Sequence, residues 1–341
     1  MQYKQLGNTG LLVSELCFGA MTFGGKGFWE VIGQQGQALA NDLVAQALEA
    51  GVNFFDTANV YSEGESEKIL GEALHKRRHE VVIATKVRGR MSPQANGVGL
   101  SRVHIMQQVE QSLQRLGTDY IDLYQIHGFD AVTPFEEILR TMDDLVSAGK
   151  VRYIGCSNLA AWQLMKALGI SAQHHWVRFE SLQAYYTIAG RDLERELVPL
   201  LQDQKLGLMV WSPLAGGLLT DKFYNAEKGP EGARRSTFDF PPVNRDRLPG
   251  VLEALAEVAQ AHEVSMAQIA LAWLLHQAVV TSVIVGAKQP EQLADNLQAV
   301  KVKLTAEELQ RLEEASALPP EYPGWMLKTQ GAGRWPEAET A

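Results

Sequence analysis

Four side chains in this sequence are of the types that together move a proton onto a carbonyl oxygen: Asp56, Tyr61, Lys86 and His127. Asp56 closes the apolar run VNFFD, and Tyr61 follows five residues later in DTANVY. Lys86 closes EVVIATK, and His127 closes YIDLYQIH. A free phenol, with a pKa of about 10, holds its proton too tightly at neutral pH. An ammonium beside it stabilises the phenolate and lowers that value. Lys86 is the expected ammonium, and Asp56 the carboxylate that keeps it charged and oriented. His127 would share the proton or fix the substrate oxygen by a hydrogen bond. Singly, each has a plain structural role: Asp caps turns, a strand-end Lys reaches solvent, His packs, and a loop Tyr covers apolar surface. No metal is expected, because one His, one Asp, one Lys and one Tyr do not make the ligand set zinc takes, and no HExxH string occurs. A GxSxG nucleophile elbow is likewise missing.

These four residues act together only if the fold brings three strand ends to one place. After an opening hairpin around Gly-Asn-Thr-Gly at 7–10, apolar runs read as strands at 15–21, 52–56, 80–86, 120–127, 151–157, 176–184, 206–213 and 281–287. Amphipathic segments between and after them predict helices at 38–51, 66–77, 101–117, 133–149, 158–169, 191–204, 250–261, 265–276, 290–300 and 305–316. Thr133 is expected to cap its helix, with Pro134 at the first position. The stretch 214–248 and the tail from about 317 read as irregular. Eight strands, each followed by helix, imply a parallel sheet with helices outside. The expected fold is α/β, a (β/α)8 TIM barrel with the hairpin as plug and residues 1–341 as one domain. An open nucleotide-binding sheet should carry GxGxxG after its first strand; the nearest string, GGKG at 24–27, has the wrong spacing. In a barrel, reactive side chains collect at the C-terminal ends of strands, so the ends of the second, third and fourth strands converge.

Composition narrows the function classes. With 46% hydrophobic and 21% charged residues, a large core is available. A net charge of −9 argues against nucleic acid as the main partner. No apolar run reaches the ~18 residues of a membrane span, and the N-terminus lacks a signal-peptide core. Cys17 and Cys156 form neither a disulfide framework nor a metal spacing, so a reducing cytoplasm is the expected location.

The strings DTANVY (56–61), ATK (84–86), QIH (125–127), GCSN (155–158), WSPLAGGLLT (211–220) and VGAKQPEQLADN (285–296) resemble the aldo-keto reductase superfamily, in order, from the hairpin to about residue 300. In detail they are similar to the branch holding potassium-channel β-subunits and bacterial reductases. The resemblance implies an eight-stranded α/β barrel binding NADPH without a Rossmann domain. It implies Asp56, Tyr61, Lys86 and His127 as catalytic tetrad, with Tyr61 as general acid. Channel subunits often carry Asn where this chain has His127, which favours a reductase.

A nicotinamide needs a flat partner, for which Trp211 is the candidate, and a polar cradle, for which Ser157, Asn158 and Gln183 are candidates. The resemblance places these four in those roles and adds Ala20 and Met21 as cofactor contacts. The run Ser212–Gly217, with Leu214 and Gly216, offers small residues and backbone N–H groups for a pyrophosphate. Lys222 and Arg234 match family positions that contact phosphate. Gly286 beside a helix N-terminus, with Lys288 two residues on, suits a 2′-phosphate and so NADP(H). The resemblance assigns Gln292, Asp295 and Asn296 to the adenine; the family more often has the longer Glu at 295. Phe23, Trp29 and His127 are the expected substrate contacts. Met21 and Phe28 on the same loop, His174, His175 and Trp176, and Tyr322 and Trp325 in the tail complete an apolar mouth.

The expected activity is NADPH-dependent reduction of an aldehyde, ketone or sugar to an alcohol, with a small-molecule carbonyl or alcohol as partner. A weakly active, cofactor-sensing regulatory subunit is the alternative. The short-chain dehydrogenase pattern Tyr-x-x-x-Lys is met by Tyr224 and Lys228, but in an irregular segment and without a glycine loop.

Overall fold

The computed structural model describes residues 1–224, 235 and 238–330. Glu15 leads into the first of eight parallel strands that close on themselves: β3 (Leu16–Gly19), β4 (Phe54–Asp56), β5 (Val82–Val87), β6 (Ile121–Ile126), β7 (Val151–Ser157), β8 (Phe179–Tyr185), β9 (Gly207–Trp211) and β10 (Val280–Val285), with β10 paired back to β3. The (β/α)8 expectation is therefore met. The hairpin β1 (Tyr3–Gln5) and β2 (Leu12–Ser14) pairs antiparallel and stands apart from the barrel sheet. It reaches the barrel at Gly7, where an added Cβ would lie 2.2 Å from the Glu180 carbonyl oxygen; with φ +59 as well, only glycine fits there.

The two-residue strand period sorts side chains to two sides of the barrel wall. Leu6 and Val13 of the plug join Cys17, Phe54, Val82, Ala84, Leu123 and Met209 in one apolar cluster. The alternate residues Phe18, Phe55, Ile83, Tyr124, Ile154 and Leu182 pack in the larger cluster shared with the helices. Both cysteines are buried and unpaired. The helices that back the site are α1 (Gln37–Glu49), α2 (Glu65–Leu74), α3 (Arg102–Leu116), α4 (Phe135–Ser147), α5 (Ala161–His174) and α6 (Leu197–Gln204). No helix among the described residues is long and apolar enough to cross a membrane.

Several boundaries differ from the sequence reading, each for a local reason. Thr133 does not cap α4: Pro134 takes the cap position, and the Thr133 hydroxyl instead donates to Asp130 at 2.8 Å. The helix expected to end at Gly169 runs on to His174, since a glycine inside a helix costs only about 1 kcal/mol relative to alanine and need not stop it. His175, at φ 56, ends it. The helix expected over 191–204 divides into a 3-10 turn, Asp192–Glu194, and α6. In the segment read as irregular lie a 3-10 turn, Ala215–Gly217, and a short helix, Asp221–Tyr224. The tail holds a helix at Gly324–Gln330.

Candidate functional site

The strand register brings Asp56 and Lys86 to the same end of the barrel, with Tyr61 in the turn after β4 and His127 directly after β6. Gly19 pairs with Asp56 and Asp56 with Ala84; Lys86 pairs with Gln125 and Gln125 with Gly155; Ser157 pairs with Gln183. Two residues beyond the apolar cluster, the same strand faces turn polar: Phe54 gives way to Asp56, Ala84 to Lys86 and Leu123 to Gln125.

Lys86 Nζ is the hub. It lies 2.6 Å from Asp56 Oδ2, 2.8 Å from the Thr57 carbonyl oxygen and 3.3 Å from the Tyr61 hydroxyl. Its side chain is fully buried and that of Asp56 nearly so. The other Asp56 oxygen accepts from Gln125 Nε2 at 3.2 Å and Gln183 Nε2 at 2.8 Å. Gln125 was not singled out from sequence. Its signal was its place in QIH, two residues before His127 and thus on the same strand face. The imidazole of His127 stands edge-on to Tyr61, ring centroids 5.8 Å apart, and Trp29 meets the phenol from elsewhere at 4.8 Å. On the neighbouring position of β5, Thr85 donates to the buried carboxylate of Glu67 at 2.6 Å, and Arg115 pairs with that carboxylate at 2.6 Å. This ties β5 to α2 and α3.

The electrostatics follow from burial and these contacts. Burial disfavours the Lys86 ammonium, but Asp56 and then Tyr61 more than offset it, and its pKa stands above the ordinary lysine value. At Tyr61 the expectation from sequence is corrected. Burial raises the phenol's pKa; Lys86 pulls it back, Asp56 pushes it up again, and the net result lies above the ordinary value. His127 is driven down to about 3 by burial, with Lys86 and Arg88 adding repulsion. It is neutral at pH 7, so one ring nitrogen donates and the other accepts.

The His127 shift has a consequence for stability. Between its ordinary 6.5 and about 3, the unfolded chain binds a proton here that the folded chain refuses. The full stability is present above pH 6.5 and declines as the pH falls. From pH 8 to pH 5 this residue should cost the wild type up to about 2 kcal/mol. Urea unfolding at both pH values should show His127→Asn losing less than wild type by that share. Equal losses would remove His127 as the source.

The expected nicotinamide contacts meet at the ends of β7, β8 and β9. Asn158, at φ 54, donates to the His127 carbonyl oxygen at 3.2 Å and to Ser157 Oγ at 2.9 Å, and accepts from Trp211 Nε1 at 3.0 Å. Ser157 donates to the Gln183 carbonyl oxygen at 2.9 Å. Trp211 lies parallel to Phe240 at 5.9 Å and tilted against Tyr185 at 5.1 Å. The Gln125 amide oxygen is buried and has no hydrogen-bond partner among the described residues. The expectation of free amides in the next turn is corrected at three positions. Ala215 N donates to the Ser212 carbonyl oxygen at 2.9 Å, Gly216 N to Ser212 Oγ at 3.1 Å and Gly217 N to the Leu214 carbonyl oxygen at 2.9 Å, so these amides are already engaged.

The other positions are distributed as follows. Ala20 is buried, its N–H donating to the Asp56 carbonyl oxygen at 2.8 Å, and Met21 is half-buried beside it. Lys222 is exposed on its short helix, and Arg234 lies outside the described residues, as does Lys228. Gly286 is exposed after β10, and the Lys288 N–H donates to Gln292 Oε1 at 2.9 Å. Asp295 accepts from Ser265 at 2.7 Å and Gln268 at 2.6 Å, which commits its carboxylate to the start of the helix Met266–Leu275. Asn296 is buried. Phe23 is a correction: it is fully buried against Phe18 at 5.6 Å, a core residue with no surface to offer a substrate. His174 stacks on Trp176 at 4.4 Å, and Tyr322 and Trp325 are exposed on the tail.

Comparison with known proteins bears on this arrangement. The model of the aldo/keto reductase family matches residues 15–317. The oxidoreductase YrpG of Bacillus subtilis is 37% identical over 98% of this chain and 100% of its own length. Versiconal hemiacetal acetate reductase of Aspergillus parasiticus is 35% identical, covering 95% of this chain and 99% of its own. An Arabidopsis thaliana protein named as a probable voltage-gated potassium channel subunit beta is 36% identical over 95% of this chain and 99% of its own.

Proposed function

This chain belongs to the aldo/keto reductase family, and from that premise we propose that it is an NADPH-dependent reductase of aldehydes, ketones or sugars with Tyr61 as its proton donor. One observation carries the reading. Within the barrel mouth a single buried ammonium, Lys86, touches both the Asp56 carboxylate and the Tyr61 hydroxyl.

The residues present suit a nicotinamide. Ser157, Asn158 and Gln183 form a compact polar edge for a carboxamide, with the Gln183 nitrogen already spent on Asp56 and its oxygen left as acceptor. Trp211, pinned through its indole nitrogen to Asn158, offers the flat wall. When bound, the dinucleotide would supply the hydride. The protein's own part is to orient and to move a proton. Neutral His127 donates a hydrogen bond to the substrate's carbonyl oxygen. As negative charge grows on that oxygen, the Tyr61 hydroxyl gives up its proton to it. The resulting phenolate is stabilised by Lys86 at 3.3 Å, and Asp56 keeps Lys86 charged. The raised phenol pKa keeps the donor protonated at neutral pH, and an alkoxide is a far stronger base than a phenolate, so the transfer still runs downhill.

Lys288 is proposed to face the 2′-phosphate. A charge-assisted contact of that kind is worth about 1.5–3 kcal/mol, or roughly ten- to a hundred-fold in affinity. Wild-type protein should consume NADPH with some member of a panel of aldehydes, ketones and sugars. Lys288→Ala should raise the Kd for NADPH by that factor and leave NADH within about twofold. Equal loss for both dinucleotides would break the phosphate assignment. A panel with no turnover would favour the regulatory-subunit reading; one relative is named as a probable channel subunit.

A further inference from the structure

We propose that Ser62 is a positioning residue, whose hydroxyl clasps the first mouth loop to the turn carrying Tyr61 and so fixes how the phenol and Trp29 face a substrate. This rests on the reading of Tyr61 as proton donor. The residues after Tyr61 are Ser62 at φ 48, Glu63 at φ 57 and Gly64 at φ 90, three left-handed residues in a row. Two of them carry side chains, so this turn is strained and persists only where its surroundings hold it.

The holding contacts centre on Ser62. Its side chain is fully buried. Its hydroxyl donates to the Phe23 carbonyl oxygen at 2.8 Å and accepts from the Gly25 N–H at 2.9 Å. The loop backbone lies directly on it: a Cβ added to Gly24, at φ +96, would come within 2.6 Å of Ser62 Cβ. Four residues on, Ser66 donates to the Ala20 carbonyl oxygen at 2.7 Å, and its hydroxyl lies 2.9 Å from that of Thr57. An exposed pair, Lys26 to Glu65 at 2.8 Å, closes the outer edge. The loop is thus fastened at residues 20, 23, 25 and 26, immediately before Trp29, whose ring meets Tyr61 at 4.8 Å. Because Ser62 is bonded to Tyr61 through one peptide, any slack in the clasp moves the phenol relative to Lys86. Displacement of a reacting group by about 1 Å can cost on the order of a hundred-fold in rate.

Ser62→Ala removes both hydrogen bonds and keeps the strain; Ser62→Gly removes the bonds and relieves it, so Gly remains testable should the Ala variant fold poorly. Both should lose kcat by about ten- to a hundred-fold, with the NADPH Kd within about twofold of wild type. Amide hydrogen exchange on the protein alone should quicken in the loop 20–35 and stay unchanged in β5 and β6. Wild-type kcat with unchanged loop exchange overturns the proposal. So does exchange that rises throughout the barrel, which would mark Ser62 as a general stability residue. If Tyr61→Phe keeps full turnover, the donor reading fails by itself, and the loop exchange still decides whether the clasp exists.

Discussion

Tyr61→Phe should bind NADPH within about twofold of wild type and lose about a hundred- to ten-thousand-fold in kcat. The loss is the usual contribution of a positioned general acid. The binding should survive because Ser157, Asn158, Gln183 and Trp211 stay tied to one another and to Asp56 without using the phenol. The ring itself keeps its contacts with Trp29 and His127, so packing changes by a single oxygen. The raised pKa of Tyr61 adds a signature in pH. Reduction needs the phenol protonated, and its rate should be flat through neutral pH. Oxidation of an alcohol needs the phenolate, so that rate should climb towards alkaline pH through the Tyr61 ionisation. Tyr61→Phe should abolish the climb as well as the rate. Full turnover in this variant, or an alkaline climb that survives it, would transfer the proton step to another group, with His127 the first to examine.

The parts of this site that could be read from sequence are those governed by strand periodicity and chain order. Asp56, Lys86 and His127 each follow an apolar run, and strand ends in a parallel barrel have one place to go. What escaped was set by local backbone geometry and by competition for polar groups. Nothing in YSEG announces three left-handed residues, since Ser and Glu rarely adopt that conformation. Phe23 reads as a mouth aromatic, but the loop turns back at Gly24 and buries it on Phe18. The small residues after Trp211 suggest unoccupied amides, yet Ser212 and Leu214 take them within the turn. The sign of the Tyr61 shift was also out of reach. Residue types give the attraction of Lys86, whereas the opposing cost depends on how deeply the hydroxyl is buried.

That same balance makes Asp56→Asn the substitution with the largest expected effect on stability. Lys86 is fully buried and, among the described residues, its ammonium bonds three oxygens, of which only that of Asp56 carries charge. Asn keeps the shape, but its single oxygen can face either Lys86 or the amides of Gln125 and Gln183. Against Lys86 it offers either a neutral oxygen or an NH2 group that opposes the ammonium. Breaking a buried pair in this way costs about 3–5 kcal/mol. An independent bound agrees: shedding the Lys86 proton at pH 7 from an ordinary pKa of about 10.4 costs about 4.6 kcal/mol, so the loss should not exceed that value by much. Against a total of about 5–15 kcal/mol for a typical domain, urea unfolding would register it as a large fall in midpoint. Adding Lys86→Met removes the stranded charge, so the double variant should regain most of the stability while remaining inactive. That split separates what the pair does for folding from what it does for the phenol. An Asp56→Asn midpoint equal to wild type would mean that the ammonium is not held by this carboxylate, and the proposed support for Tyr61 would fall with it.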